Sequence, residues 1–151
     1  MDTLIIFVAE YLIWVIPAAA LVYLFVSKEW KRLGILAAAS LALAYAAGKV
    51  AGLLWYNPRP FVSDGVTPLF THAANNGFPS DHMLMGATIA SIVFVYNRTL
   101  GVALWALALA VGLARVAAGI HHLVDLAGSI IIAVVVVAVA EYLCSRFIKI
   151  Q

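Results

Sequence analysis

Two short clusters hold most of the residues in this sequence that could do chemistry. The first lies in Asn57 to His82, NPRPFVSDGVTPLFTHAANNGFPSDH, which packs Arg59, Asp64, His72, Ser80, Asp81 and His82 into 26 residues. The second is Arg115, His121, His122 and Asp125, set in sequence that is otherwise apolar. A guanidinium offers paired donors and stays charged, so Arg59 and Arg115 both suit a phosphate. The competing reading of each arginine is an interfacial side chain reaching for lipid headgroups. His121 and Asp125 are four apart, which on a helix puts them on one face. A carboxylate that accepts a hydrogen bond from an imidazole fixes its tautomer and raises its basicity, which prepares a histidine to act as nucleophile or base. Pro79, Ser80, Asp81 and His82 precede an apolar helix. Ser80 reads as its N-cap, and a helix start offers unpaired amides and a positive dipole end to an anion. A capped helix alone would account for the tetrapeptide but would leave His82 unexplained. Arg115 lies six residues before His121, about 240° away on a continuous helix. The two converge only if the backbone turns between them, and Gly119 sits where such a turn is useful.

The elements that must position these residues are membrane spans. The chain is 151 residues long, 66% hydrophobic and only 11% charged, well above the apolar share of roughly half found in soluble domains. That length allows one domain, so residues 1–151 are expected to form a single membrane-embedded unit. The net charge of +2 is too small and too dispersed to indicate nucleic acid. A single cysteine, Cys144, excludes an internal disulfide framework. A spanning helix needs about 20 residues, and five spans are expected: Leu4 to Val26, Leu33 to Tyr56, His82 to Tyr96, Leu100 to Ala118, and Leu123 to Phe147. Pro58 should end the second near Tyr56, and Asn97 with Arg98 forms a tight break. The Ile/Val/Ala run Ile130 to Ala140 should be helical, because a lone strand in lipid cannot satisfy its own backbone. A cleavable signal peptide is the competing reading of the first span, with Ala18 to Ala20 as the small-residue site. The start MDTLII lacks a basic region, and the apolar run continues past those alanines.

Five spans put the termini on opposite sides. With the N-terminus outside, one side receives Lys28, Lys31, Arg32, Arg98, Arg146 and Lys149, and the other receives Lys49, Arg59 and Arg115. Six against three obeys the positive-inside rule. The three exceptions belong to the polar clusters, which the same threading brings together on the outer side of the cell membrane. A charge that defies the rule, or sits at membrane depth, is by default a candidate for function.

These residues resemble the type 2 phosphatidic acid phosphatases, a family that shares its site design with vanadium haloperoxidases. The family's motifs are a lysine, six residues, then Arg-Pro; Pro-Ser-Gly-His; and Ser-Arg, five residues, His, three residues, Asp. Arg59 and Pro60 match the end of the first. Pro79, Ser80 and His82 match the second, with Asp81 in place of glycine. Arg115, His121 and Asp125 match the third, with Ala114 in place of serine. YNPRPFV followed by THAANNGFPSDH further resembles the bacitracin-resistance type of undecaprenyl pyrophosphate phosphatase, from about Glu10 to the end of the fifth span. The resemblance implies an all-α integral membrane protein of about five helices, with its site at the extracytoplasmic edge. It also implies a two-step reaction on a lipid pyrophosphate without metal or other cofactor. In that reaction His121 attacks the terminal phosphorus while Asp125 orients it. His82 protonates the leaving lipid phosphate, and water then releases phosphate from a phosphohistidine. Arg59, Arg115 and Ser80 hold the phosphoryl oxygens. Phosphatidylglycerophosphate and phosphatidic acid present the same headgroup chemistry.

The first motif departs from the pattern, because the position seven before Arg59 is Gly52 and the nearest lysine is Lys49. Lys49 and Gly52 are three apart, hence on one face. Lys49 and Glu10 each lie roughly 9 to 11 Å inside the outer ends of their spans. Lys49 is therefore expected to reach past Gly52 into the phosphate pocket, with Glu10 buried beside it and holding its ammonium. His72, His122, Asp64 and Asp81 are left for loop structure or tuning of the site. Two other classes remain open on residue type alone. One is a metal-dependent membrane enzyme that uses the histidines and carboxylates as ligands. The other is a transporter or proton channel in which Glu10, Lys49, Asp125 and Glu141 form a relay.

Overall fold

The computed structural model describes residues 1–147, which are helix and loop; Pro58 and Asn76 pair as an isolated β-bridge. In chain order the helices are α1 (Asp2–Glu10), a 3-10 turn at Leu12–Trp14, α2 (Val15–Val26), α3 (Trp30–Leu54), α4 (Pro60–Ser63), α5 (Asp81–Tyr96), α6 (Arg98–Ala117) and α7 (Leu123–Phe147). Four segments are long and apolar enough to cross a membrane: Asp2–Val26, Trp30–Leu54, Arg98–Ala117 and Leu123–Phe147. The chain is a multi-pass, all-helical membrane protein. Large apolar side chains such as Phe25, Leu53, Leu54 and Ile131 stand exposed along these helices, as a lipid-facing surface requires.

The expected first span is not one straight helix. Pro17 has no N–H to give to the carbonyl of Ile13, and just upstream of it the chain tightens into the 3-10 turn that separates α1 from α2. The second span begins and ends earlier than expected, and at its end Asn76 takes up backbone acceptors. Its Nδ2 donates to Gly52 O at 2.8 Å and to Trp55 O at 3.0 Å.

The fifth column, α5, is the shortest at 16 residues. It is also the most enclosed, packing against α6, α7, α3 and α2. At 1.5 Å per residue it spans about 24 Å, against about 30 Å for the 20-residue α6. The end of α5 and the start of α6 are level, because the two helices are joined through Asn97 alone. The Asn97 side chain caps α6 by accepting from Leu100 N at 3.0 Å, and Gly101 lies directly against the Phe94 backbone, where a side chain would collide. Their other ends therefore differ by roughly 6 Å. The start of α5, with Ser80 and His82, is recessed below the end of α6 and level with Arg115. Small residues allow this close approach: a Cβ on Gly112 would lie 2.9 Å from Met83 Sδ.

The C-terminal end of α3, the 55–80 loop, the start of α5, the end of α6 and the start of α7 all gather at one end of the bundle. The opposite end collects Lys28, Lys31, Arg32, Arg98 and Arg146; Lys149, assigned to the same side, lies outside the described residues. There Arg32 Nη2 pairs with Glu141 Oε1 at 3.0 Å. Glu141 thus brackets α3 to α7 at the far end of the bundle from the two clusters, and the relay that would link it with Asp125 is not formed.

Candidate active site

The turn between α6 and α7 brings Arg115 and His121 together. Gly119 adopts φ +73°, Gly119 N donates to Val116 O at 2.9 Å, and Ile120 N donates to Arg115 O at 3.1 Å. This pair of bonds around a left-handed glycine is a Schellman ending. It reverses the chain within three residues and delivers His121 back over the helix that carries Arg115. The helix expected to carry His121 and Asp125 together is not what joins them, since α7 begins at Leu123 and His121 precedes it. Their contact works instead through the start of α7. Asp125 reaches back and accepts from His122 N at 2.9 Å through Oδ2, as a residue three positions into a helix often does. The same Oδ2 lies 3.2 Å from His121 Nδ1.

The carboxylate is fully buried and has a third partner that sequence reasoning missed. Asn57 Nδ2 donates to Asp125 Oδ1 at 2.7 Å. Asn57 is itself held at both backbone groups: its N donates to Asn76 Oδ1 at 2.9 Å, and its O accepts from Gly77 N at 2.8 Å. Gly77 has no side chain for a reason, because a Cβ there would lie 3.1 Å from Asp125 Oδ2. The available signal was the pair of asparagines that flank this interval, in NPRP and ANNGFP.

With Nδ1 facing a buried carboxylate, His121 keeps its proton there and leaves Nε2 bare. Arg59 Nη1 stands 3.2 Å from that nitrogen. The guanidinium is buried and is fixed further by Asn75 Oδ1 at 2.9 Å from Nε and Ile120 O at 3.1 Å from Nη1. Burial lowers the Arg59 pKa, against the raising pull of Asp125 and Asp81. Burial also lowers the affinity of His121 for a proton, opposed by its bond to Asp125 and reinforced by Arg59 and Arg115. At neutral pH the result is a neutral imidazole with a lone pair aimed at a cationic pocket, the state a nucleophile needs.

Arg115 is buried within electrostatic reach of Arg59 and His121. Its Nη1 donates to Ala9 O at 3.1 Å, its Nη2 faces His72 Nε2 at 3.3 Å, and its Nε–H is buried without a partner. His82, in the first turn of α5, lies within electrostatic reach of Arg115, His121, Asp81 and His72. Ser80 is fully buried and is the N-cap of α5, with Oγ accepting from Met83 N at 3.5 Å; Ser129 Oγ donates to its carbonyl at 3.0 Å. Arg59, Ser80, His82, Arg115, His121 and Asp125 thus gather at one end of the bundle, the last three through a turn and a helix start and not through a shared helical face.

The proposed Lys49–Glu10 partnership does not form. Glu10 ends α1, which packs on α6, and its carboxylate acts on Arg115. Lys49 is exposed on α3 with Nζ 5.2 Å from the Tyr45 ring centre. It does share an open pocket of about 340 Å³ with Arg59, Asn75, Asn76 and Asp81. Gly52 is glycine because the Phe78–Pro79 loop crosses α3 there: a Cβ would lie 3.0 Å from Phe78 O. His122 turns away from the pocket, with Nε2 3.1 Å from Asp64 Oδ2 and Nδ1 3.3 Å from Asn57 Nδ2. Among the described residues no three His, Cys, Asp or Glu side chains converge as metal ligands.

The sequence matches the PAP2 superfamily over residues 33–149. The chain belongs to that superfamily of phosphatases, and it is therefore a hydrolase. It is 31% identical over 141 residues to the undecaprenyl-diphosphatase BcrC of Bacillus subtilis, covering 90% of this chain and 71% of that protein. It is 29% identical over 136 residues to a Bacillus licheniformis protein named bacitracin transport permease protein BcrC, covering 89% and 67%. The crystal structure of Aquifex aeolicus LpxE superimposes with a TM-score of 0.72 at 22% identity, over 93% of this chain and 85% of that one. That likeness establishes the fold.

Proposed function

We propose that residues 1–151 form one membrane-embedded lipid phosphatase domain that removes the terminal phosphate of a polyprenyl pyrophosphate, undecaprenyl pyrophosphate in particular. The observation that carries this is the bare Nε2 of His121, held by Asp125 through Nδ1 and faced by Arg59 at 3.2 Å. The substrate class is supported by the name of the Bacillus subtilis relative.

His121 Nε2 attacks the terminal phosphorus as the bridging P–O bond breaks, and His82 supplies a proton to the departing lipid monophosphate. This leaves a phosphohistidine. Water then attacks that phosphorus, with His82 taking its proton, and the N–P bond breaks to release inorganic phosphate. Arg59 and Arg115 hold the phosphoryl oxygens together with Ser80 and the amides at the start of α5. Stabilising those oxygens is most of the work of phosphoryl transfer. Lys49 adds positive charge to the rim beside Arg59. Purified protein in detergent should release phosphate from undecaprenyl pyrophosphate faster than from phosphatidylglycerophosphate or phosphatidic acid, with or without EDTA. No release from any lipid diphosphate would overturn the reading, as would activity that is lost to EDTA and restored by a divalent cation.

The same proposal places the protein in the bacterial cell membrane with this site outward, supported by the basic residues at the opposite end of the bundle. The site then serves carrier lipid released after export of wall polymer. Single cysteines at Ala74 and Thr99, in a background lacking Cys144, test this sidedness. In intact cells an impermeant maleimide should label position 74 and not position 99; the reverse pattern inverts the topology.

A further inference from the structure

One histidine of the first cluster has no part in the reaction as proposed, yet it touches the phosphate-binding machinery. His72 sits in the 64–80 loop with Nδ1 3.3 Å from Ala73 O. A carbonyl can only accept, so Nδ1 carries the proton and Nε2 is bare. That bare nitrogen accepts from Arg115 Nη2 at 3.3 Å. A buried guanidinium with one donor on a neutral imidazole and another, Nε–H, on nothing is waiting for an anion.

We propose that His72 and Arg115 form a second phosphate subsite, for the phosphate that stays with the lipid, and that His72 changes from accepting to donating a hydrogen bond when that phosphate binds. The proposal rests on the lipid pyrophosphate reading and adds the means by which a diphosphate is told from a monophosphate. Both arginines hold the phosphate under attack, and position gives Arg115 a second task. Arg59 contacts His121 Nε2, so it serves that phosphate alone. Arg115 contacts His72 and lies within electrostatic reach of His82, the residue that protonates the leaving phosphate. An oxygen of that leaving phosphate bound to Arg115 Nη2 comes next to His72 Nε2, and two acceptors cannot face each other unless one is protonated.

The charges around His72 explain why the switch waits for ligand. It contacts Arg115 from α6 and lies within electrostatic reach of Arg59 just before α4, His121 in the turn before α7 and His82 in α5. Burial first, and then the Arg59, Arg115 and His121 charges, lower its pKa against the raising effect of the Ala73 bond. An arriving diphosphate reverses the sign of that field, and the proton follows. A neutral His72 also avoids stacking a third cation on two buried ones.

The test compares His72→Gln and His72→Lys with the native protein in detergent. Farnesyl diphosphate and farnesyl monophosphate serve as lipid substrates, and methylenediphosphonate and orthophosphate serve as soluble competitors. His72→Gln should lower kcat/KM for farnesyl diphosphate and weaken methylenediphosphonate by about tenfold or more, the value of a charge-assisted bond. Farnesyl monophosphate and orthophosphate should change by less than about threefold. His72→Lys should restore the diphosphate preference, because its ammonium always donates. Relative to that variant, native affinity for methylenediphosphonate should fall as pH rises from about 6 to about 8. A diphosphate effect in either the lipid or the soluble arm supports the subsite and identifies its source. Equal losses on monophosphate and diphosphate, or none on either, overturn it while leaving the phosphatase reading intact. Failure of the native protein to bind any of the four overturns both.

Discussion

His121→Ala is expected to lower turnover by roughly four orders of magnitude or more, the scale seen when a covalent nucleophile is removed, whereas His122→Ala should keep more than about a tenth of it. The two histidines are neighbours in sequence, and their side chains serve different partners. His121 presents Nε2 to Arg59 and Nδ1 to Asp125. His122 spends both ring nitrogens on Asn57 and the exposed Asp64, and what it gives Asp125 comes from its backbone N–H, which alanine keeps. The check is turnover together with trapped label from a lipid pyrophosphate carrying labelled terminal phosphate. Native protein should hold label in an acid-labile, base-stable bond, as a phosphorus–nitrogen bond is, and His121→Ala should hold none. The acid limb of the native pH–rate profile should lie below the ordinary imidazole value near 6.5, because burial disfavours the protonated, non-nucleophilic form. Equal loss in both variants, or label retained without His121, removes the assignment.

The bundle was legible in the sequence wherever physics is local. Leu123 to Phe147 was read with the bounds it has in the structure, and the break at Asn97 fell where an asparagine caps the next helix. The interruption at Tyr11 was missed because the apolar run gives no sign of it; the cause is Pro17, several residues further on. That the two clusters meet was legible by residue type, although for His121 and Asp125 the supposed helical face was the wrong reason. A Schellman turn and a side chain reaching back over the start of α7 produce the same proximity. Glu10 and Lys49 show the limit of depth as an argument. Equal depth fixes a level in the membrane and says nothing about direction around the bundle, and α1 packs on α6 while α3 packs on α5 and α7. The partners of Asn57, Asn76 and His72 were beyond reach for a related reason: they lie far along the chain, and a lone amide or imidazole in a loop carries no periodicity from which they could be read.

Asp125→Asn is expected to cost roughly three to four orders of magnitude in turnover, comparable to the corresponding change in catalytic triads, although it preserves size and shape. The reason is a count of donors. Oδ2 faces two N–H groups, from His121 Nδ1 and His122 N, and Oδ1 faces a third, from Asn57 Nδ2. A carboxamide has one accepting oxygen and one donating nitrogen, so one end must set donor against donor in a fully buried place. If the nitrogen turns toward His121, the imidazole has to move its proton to Nε2, which removes the attacking lone pair and points an N–H at Arg59. If it turns toward Asn57, two amide nitrogens oppose each other at 2.7 Å, the present Asn57–Asp125 distance. The second conflict can be repaired from outside the pair. In Asn57→Asp combined with Asp125→Asn, the new carboxylate accepts from the amide nitrogen, whose oxygen then serves His121 and His122 as Oδ2 does now. His122, 3.3 Å from Asn57 Nδ2, can donate to that carboxylate by taking its proton on Nδ1. The double variant should therefore recover about tenfold or more over Asp125→Asn alone, while Asn57→Asp by itself, which opposes two carboxylates, should be impaired. Steady-state turnover of the four proteins decides it. A double variant no better than Asp125→Asn would show that the charge of Asp125, and not the tautomer it enforces on His121, is what the reaction needs.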